Sequence, residues 1–398
     1  MSKLTTLIRP HLIELTPYAS ARDEYKGKEG IFLDANENPF SSVTGDAFNR
    51  YPDPHQQAIK EKLAQIKGVS PSQIFLGNGS DEAIDLLIKT FCEPKKENIV
   101  ILPPTYGMYK VCADIQQVDV LSAPLTPDFD LDLDQIKATV NENTKMIWAE
   151  TPTNTTMQII DIEACSVVAK ANKLTLVVDN TFSPLSVAPA KLGADIVIHS
   201  LTKYINGSSD TVGGVTCASR EFINSLKDVN SGASMLLGPT MDSLRSASVM
   251  KNLRTLHIRM KQHSYNAMYL AEKFENDGIK TVYPGLKSHP SHEIYASMIN
   301  PEYGFGGMMT IDVGSLDKAN ELMELMQERN LGYLAVSLGF YKTLFSAPGT
   351  STSSEIPLEE QKEMGLTDGL IRFSIGLDND IERTYQMMKG CMKDLGIL

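Results

Sequence analysis

Two apolar runs that end on reactive side chains restrict the fold of this chain more than any other feature. Leu174-Thr175-Leu176-Val177-Val178 stops at Asp179, and Ile196-Val197-Ile198 stops shortly before Lys203. Near-continuous apolar runs of this length read as parallel strands buried on both faces. Open sheets of such strands collect ligands outside their carboxyl ends. The two runs therefore predict a carboxylate and a lysine facing one crevice. That ordered pair suits pyridoxal phosphate (PLP): a lysine forms a Schiff base with the cofactor aldehyde, and a carboxylate keeps the pyridine nitrogen protonated. The chain reads as an enzyme.

Further strand and helix signals alternate around these runs. A helix is expected from His55 to Lys67, with Gly68 as its stop signal. Ile74-Phe75-Leu76 leads through Gly77-Asn78-Gly79-Ser80 into a helix reaching Thr90. Ile99-Val100-Ile101-Leu102 and Met146-Ile147-Trp148-Ala149 are further strands, giving a βαβ series and a largely parallel sheet. From Arg245 to Asp277 the pattern is long and helical. Met308 to Val313 and Leu370 to Ser374 then read as strands of a smaller α+β unit. At 398 residues the chain exceeds one small core. The expected layout is an N-terminal segment over 1–54, a large PLP-binding domain over 55–250, and an interdomain helix with a small C-terminal domain over 251–398.

Composition narrows the partners. With 42% apolar and 22% charged residues the chain has an ordinary globular balance. A net charge of −12 speaks against nucleic acid, which favours a basic face. No apolar stretch approaches the roughly 20 residues of a membrane helix, and no secretory signal follows Met1. Five scattered cysteines without a CxxC pair read as free thiols in a reducing cytoplasm. The cluster His289-Pro290-Ser291-His292-Glu293 reads as a surface loop, and no metal site is expected.

Several residues fall at predicted strand ends. Gly79, Ser80 and Asp81 open a helix whose amide groups and dipole favour a phosphate, although the same residues serve ordinary capping. Tyr106 follows the next strand, where its ring either stacks on a cofactor face or is a half-buried aromatic. Asn154 follows another, as a partner for the cofactor phenolate oxygen or a turn residue after Pro152. Ser200 and Thr202 flank the lysine and offer hydroxyls to a phosphate. Arg372 lies inside an apolar strand, and a buried guanidinium needs an anion. Its bidentate fork suits an amino-acid carboxylate, with a structural salt bridge as the alternative.

The stretch Asp179-Asn180-Thr181-Phe182, followed by Gly193-Ala194-Asp195-Ile196-Val197-Ile198-His199-Ser200-Leu201-Thr202-Lys203-Tyr204, closely resembles the cysteine/methionine-metabolism PLP enzymes of fold type I. That family includes cystathionine γ-synthase, cystathionine γ-lyase and methionine γ-lyase. Agreement continues through Ser209 to Gly214, Leu253-Arg254-Thr255-Leu256, Ser337-Leu338-Gly339 and Thr367 to Arg372. The resemblance implies Lys203 as the Schiff-base lysine, Asp179 as the pyridinium partner and Tyr106 stacked on the ring. It gives phosphate contacts to Ser200 and Thr202, places Asn154 near the phenolate, and assigns the substrate carboxylate to Ser337 and Arg372.

The N-terminal third is similar to a second group. Asn36-Glu37-Asn38-Pro39-Phe40, Arg50-Tyr51-Pro52-Asp53-Pro54 and Gly77 to Glu82 resemble histidinol-phosphate aminotransferases. The Tyr-x-Arg with which lyases complete a neighbour's phosphate site is not found, and Tyr51 is the candidate replacement across a dimer. Thr211 stands where aminotransferases carry a phosphate-gripping arginine, and Asn180-Thr181-Phe182 replaces their tyrosine after the aspartate. Met108 stands where methionine γ-lyases carry a cysteine. The resemblance nearest the lysine implies β/γ-elimination or γ-replacement on a sulfur-containing or O-acylated amino acid, in a homodimer or homotetramer. An aminotransferase is the alternative.

Overall fold

The structure, a computed structural model, describes residues 7–13, 53, 56–126, 130–227, 239–351, 361 and 365–398. Tyr51 and the Asn36–Arg50 motifs lie outside the described residues. After a one-turn helix at Pro10–Ile13 come α1 (Gln57–Lys67), β1 (Ile74–Gly77), α2 (Ser80–Phe91), β2 (Asn98–Ile101), α3 (Met108–Ile115) and β3 (Asp119–Ser122). They are followed by α4 (Leu133–Thr139), β4 (Thr144–Glu150), α5 (Ile162–Ala171), β5 (Thr175–Asp179), β6 (Ile196–Ser200), β7 (Gly214–Cys217) and α6 (Arg220–Lys227). The remaining elements are α7 (Ser243–Leu253), α8 (Leu256–Asn276), β8 (Lys280–Val282), α9 (His292–Met298), β9 (Met308–Asp312) and α10 (Leu316–Glu328). β10 (Tyr333–Leu334), β11 (Leu344–Ser346), β12 (Leu370–Ser374) and α11 (Ile381–Asp394) complete the chain.

Seven strands form the larger sheet in the order β1-β7-β6-β5-β4-β2-β3. The five from β6 to β3 are parallel, while β7 runs antiparallel to both β1 and β6. Every residue of β5 and β6 is buried, as their unbroken apolar runs require. Edge strand β3 instead has exposed ends, Asp119 and Ser122, around half-buried Val120 and Leu121. The smaller sheet has the order β10-β11-β12-β9-β8 and shares an apolar core with α8, α10 and α11, in which Phe274, Met326 and Met388 pack with Ile371 and Phe373. Met308 of β9 packs instead with Leu76, Leu201 and Val215, so the larger sheet's side and the smaller sheet meet in a shared apolar contact.

Local signals hold where short-range chemistry sets them. Gly68 takes φ 67° and closes α1 through its amide to the Ala64 carbonyl. Two expectations change. The helix read from Arg245 to Asp277 is broken into α7 and α8, because the Asn252 carbonyl accepts from the Thr255 hydroxyl at 3.2 Å and from Arg259 Nη2 at 3.2 Å. Both contacts are local, and no glycine or proline marks the break in the sequence. His289 is buried rather than on a surface loop: its Nε2 lies 3.2 Å from the Met157 carbonyl, and His292 begins α9. The described cysteines form no disulfide.

The shortest approach in the fold sets the amino end of α2 against β7. A Cβ added at Gly214 would lie 1.9 Å from the Gly79 carbonyl oxygen and 2.6 Å from the Ser80 nitrogen. Both are backbone atoms with little room to shift. Gly214→Ala is expected to lower stability by about 1–3 kcal/mol, the usual range for overpacking, and to weaken PLP retention. Urea unfolding and equilibrium dialysis against PLP check both effects.

Candidate active site

The carboxyl ends of β4, β5 and β6 lie side by side, and their last residues turn into one crevice. Register pairs Glu150 with Asp179, so parallel strands place two carboxylates on neighbouring ends. Asp179 accepts from the Thr181 hydroxyl at 2.6 Å, the Thr181 amide at 3.0 Å and the Tyr109 hydroxyl at 3.1 Å. Glu150 accepts from the Asn154 amide at 3.1 Å and the Thr105 hydroxyl at 3.5 Å. Every one of these donors is neutral. Burial raises both carboxyls above their ordinary range, and the Asp179 charge adds to the effect of burial at Glu150.

Across the crevice stands the turn after β6. Lys203 Nζ donates to Ser337 Oγ at 3.1 Å. Burial, and then the nearby Arg372 charge, lower the lysine from its usual value, while Asp81 opposes them. Arg372, on β12 of the smaller sheet, is only 2% exposed. Its Nη1 donates to Asn154 Oδ1 at 2.8 Å, and its Nη2 donates to the Val336 carbonyl at 2.6 Å and more weakly to that of Ser337 at 3.5 Å. These acceptors are all neutral, and no ion pair reaches the guanidinium among the described residues. Burial lowers it to about 10.

A cavity of about 540 Å³ joins these groups. Gly79, Ser80 and Asp81 line it at the amino end of α2, where no side chain caps the helix. Ser200 and Thr202 line the same cavity, Thr202 holding the Gly213 amide at 3.1 Å. Tyr106 donates its hydroxyl to Asp81 Oδ1 at 3.3 Å, and burial with that carboxylate keeps its phenol protonated well above its ordinary range. An uncapped helix amino end flanked by hydroxyls suits a phosphate. A buried carboxylate with only neutral donors suits a protonated ring nitrogen at the other end. The residues present fit PLP.

Of the expected site residues, Gly79, Ser80, Asp81, Tyr106, Asn154, Asp179, Ser200, Thr202, Lys203 and Arg372 line this one cavity. Ser337 reaches it through its bond to Lys203. Tyr51 lies outside the described residues. The salt bridge considered for Arg372 is replaced by neutral partners. Sequence reasoning passed over Glu150, Thr181 and Tyr109. Glu150 ends an apolar run in the same way as Asp179, which was a usable signal. Tyr109 gave none, since only packing of α3 brings its hydroxyl to Asp179.

Comparison with known proteins agrees with this geometry. The model of the "Cys/Met metabolism PLP-dependent enzyme" family matches residues 31–386. Methionine gamma-lyase of Arabidopsis thaliana is 39% identical over 249 residues, 62% of this chain and 56% of that protein. Histidinol-phosphate aminotransferase of Cytophaga hutchinsonii is 50% identical over 179 residues, 45% of this chain and 51% of that protein. The chain thus spans about half the length of each of these two relatives. Cystathionine beta-lyase of Lactococcus lactis subsp. cremoris is 34% identical over 341 residues, 83% of this chain and 84% of that protein. The solved structure of cystathionine gamma synthase from Xanthomonas oryzae pv. oryzae superposes with a TM-score of 0.77 at 26% identity, covering 100% of this chain and 99% of that one. With the lysine, the aspartate and the fold all in place, the chain belongs to the Cys/Met metabolism PLP-dependent enzymes of fold type I.

Proposed function

We propose that the chain catalyses β- or γ-elimination, or γ-replacement, on a sulfur-containing or O-acylated amino acid. The observation that carries this reading is that Lys203, bonded to Ser337 at 3.1 Å, lines one cavity together with Arg372 and Asp179. Bound PLP supplies an aldehyde carbon for amines and a protonated ring that accepts the electron pair released at the substrate Cα. In this reading the amino end of α2 from Gly79 to Asp81, with Ser200 and Thr202, holds the phosphate. Asp179 holds the ring nitrogen, Asn154 the phenolic oxygen, and Tyr106 covers one ring face.

Arg372 and Ser337 grip the substrate carboxylate, which fixes the orientation of the Cα–H bond. Lys203 Nζ takes the Cα proton and returns it at a neighbouring carbon. Its lowered pKa makes the uncharged amine available nearer neutrality. The protonated phenol of Tyr106 donates to the departing sulfur or oxygen. Met108, Val111, Val212, Val336 and Leu338 add apolar lining to the cavity. The domain division at 55–250 and 251–398, a cytoplasmic setting and a dimer or tetramer completed by Tyr51 belong to the same proposal. The aminotransferase likeness keeps transamination as the competing reading.

Mixing the enzyme with methionine, cystathionine, O-acetylhomoserine and histidinol phosphate separates the two. Keto acid with ammonia from one of the first three is expected; conversion of the cofactor to its amine form without ammonia would overturn elimination. Lys203→Ala is expected to abolish turnover. Arg372→Gln removes a charge-assisted grip of about 1.5–3 kcal/mol, so KM rises about 10- to 100-fold. The pH dependence of PLP capture by apoenzyme tests the electrostatics. Capture needs uncharged Lys203, so it rises with pH through a midpoint below the ordinary 10.5. Arg372→Gln deletes a neighbouring positive charge and moves that midpoint upward.

A further inference from the structure

Helix α8 bonds the backbone that follows Lys203 and the backbone that follows β12, the strand of Arg372, without lining the cavity. On one of its faces, at i, i+4 and i+7, stand Arg259, His263 and Asn266, which are 9%, 0% and 0% exposed. Arg259 Nη1 donates to the Tyr204 carbonyl at 2.5 Å and Nη2 to the Ile205 carbonyl at 2.9 Å, the two peptide groups directly after Lys203. Its remaining contacts are Thr255 Oγ1 at 3.1 Å and the Asn252 carbonyl at 3.2 Å. No carboxylate pairs with it among the described residues, and burial lowers it to about 10. A Cβ at Gly207 would lie 2.3 Å from Nη1, so the turn is shaped to admit the guanidinium.

Further along the same face, His263 Nδ1 donates to the Ile375 carbonyl at 2.6 Å. Asn266 Nδ2 donates to the Gly376 carbonyl at 2.9 Å and the Asp378 carbonyl at 2.8 Å. These carbonyls follow immediately on β12, which carries Arg372. We propose that α8 is a spacer that fixes Lys203 relative to Arg372, with Arg259 as a positioning residue for the lysine turn and Asn266 for the strand end. The proposal rests on the roles given above to Lys203 and Arg372.

Physical reasons favour a spacer over plain stabilisation. Lys203 and Arg372 are like charges in a buried site, so their separation needs an external hold. A buried guanidinium held only by carbonyls and a hydroxyl gains little as an ion, but its planar fork fixes two peptide groups at once. Seven residues of helix make a rod of about 10 Å between the two grips. The Tyr204 ring against His263, at 5.1 Å between centroids, closes the gap between them.

A double-mutant cycle with Arg259→Lys and Asn266→Ala tests this. Contacts about 10 Å apart ordinarily contribute additively. A spacer loses its registration when either end is released, so the double variant should be no worse in kcat/KM than the poorer single. Either single variant is expected to lower kcat/KM about 10- to 100-fold. PLP capture by apoenzyme, which needs no substrate, should slow in Arg259→Lys and not in Asn266→Ala. If Arg259→Lys does not fold by urea titration, Thr255→Val, which removes the acceptor for Nε, replaces it. Additive losses, or equal slowing of capture by both variants, would overturn the spacer. Loss of turnover on every amino acid offered, with the capture difference intact, would instead overturn the reaction proposed above.

Discussion

The buried carboxylate pair at the ends of β4 and β5 is the constraint on which the site depends. Parallel register brings Glu150 and Asp179 onto neighbouring strands, about 4.8 Å apart in backbone spacing. Two carboxyls so close in a dry environment do not both ionise without a cation. Asp179 collects three donors, two of them hydroxyls, and this favours its charge. Burial raises the pKa of both members, so the pair holds a proton more readily than a free carboxylate does. A group with a ring cation relieves the Asp179 side of the pair. The chain thus carries a local electrostatic cost that the cofactor offsets, a reason for the sheet to bind PLP tightly.

From Glu150 the contacts propagate across the molecule. Its carboxyl receives the Thr105 hydroxyl and the Asn154 amide, joining the loops after β2 and β4. Asn154 passes its side-chain oxygen to Arg372, and Arg372 reaches the carbonyls of Val336 and Ser337. Ser337 then receives Lys203 Nζ. A chain of hydrogen-bonded groups therefore runs from the larger sheet to the smaller and back to the lysine turn. Displacing one member changes the setting of those on either side.

Much of this was legible in the sequence because strand ends announce themselves. Asp179 and Lys203 follow apolar runs, Gly68 ends its helix, and Leu370 to Ser374 form β12 as read. The cofactor and the family follow from that local text. What stayed hidden depends on contacts between distant segments. Tyr109 reaches Asp179 only because α3 lies over the sheet beside Trp148, with ring centroids 5.0 Å apart. His289 looked like part of a polar loop, yet its ring is buried against the Met157 carbonyl. The division between α7 and α8 arises from a guanidinium four residues inside the second helix. Periodicity reports what each element prefers, and these features are set by what the neighbours impose.

Arg372 shows how such imposed contacts become chemistry. A buried guanidinium with neutral partners is under-compensated, because hydrogen bonds satisfy its donors without supplying a counter-charge. Pairing it permanently with a protein carboxylate would remove that deficit and with it the attraction for an incoming anion. The fold instead leaves Arg372 held in place by Asn154 and two carbonyls. Its charge also lowers the pKa of Lys203 across the cavity. In the proposed reaction the same residue would grip the substrate carboxylate, and that negative charge would screen its effect on the lysine.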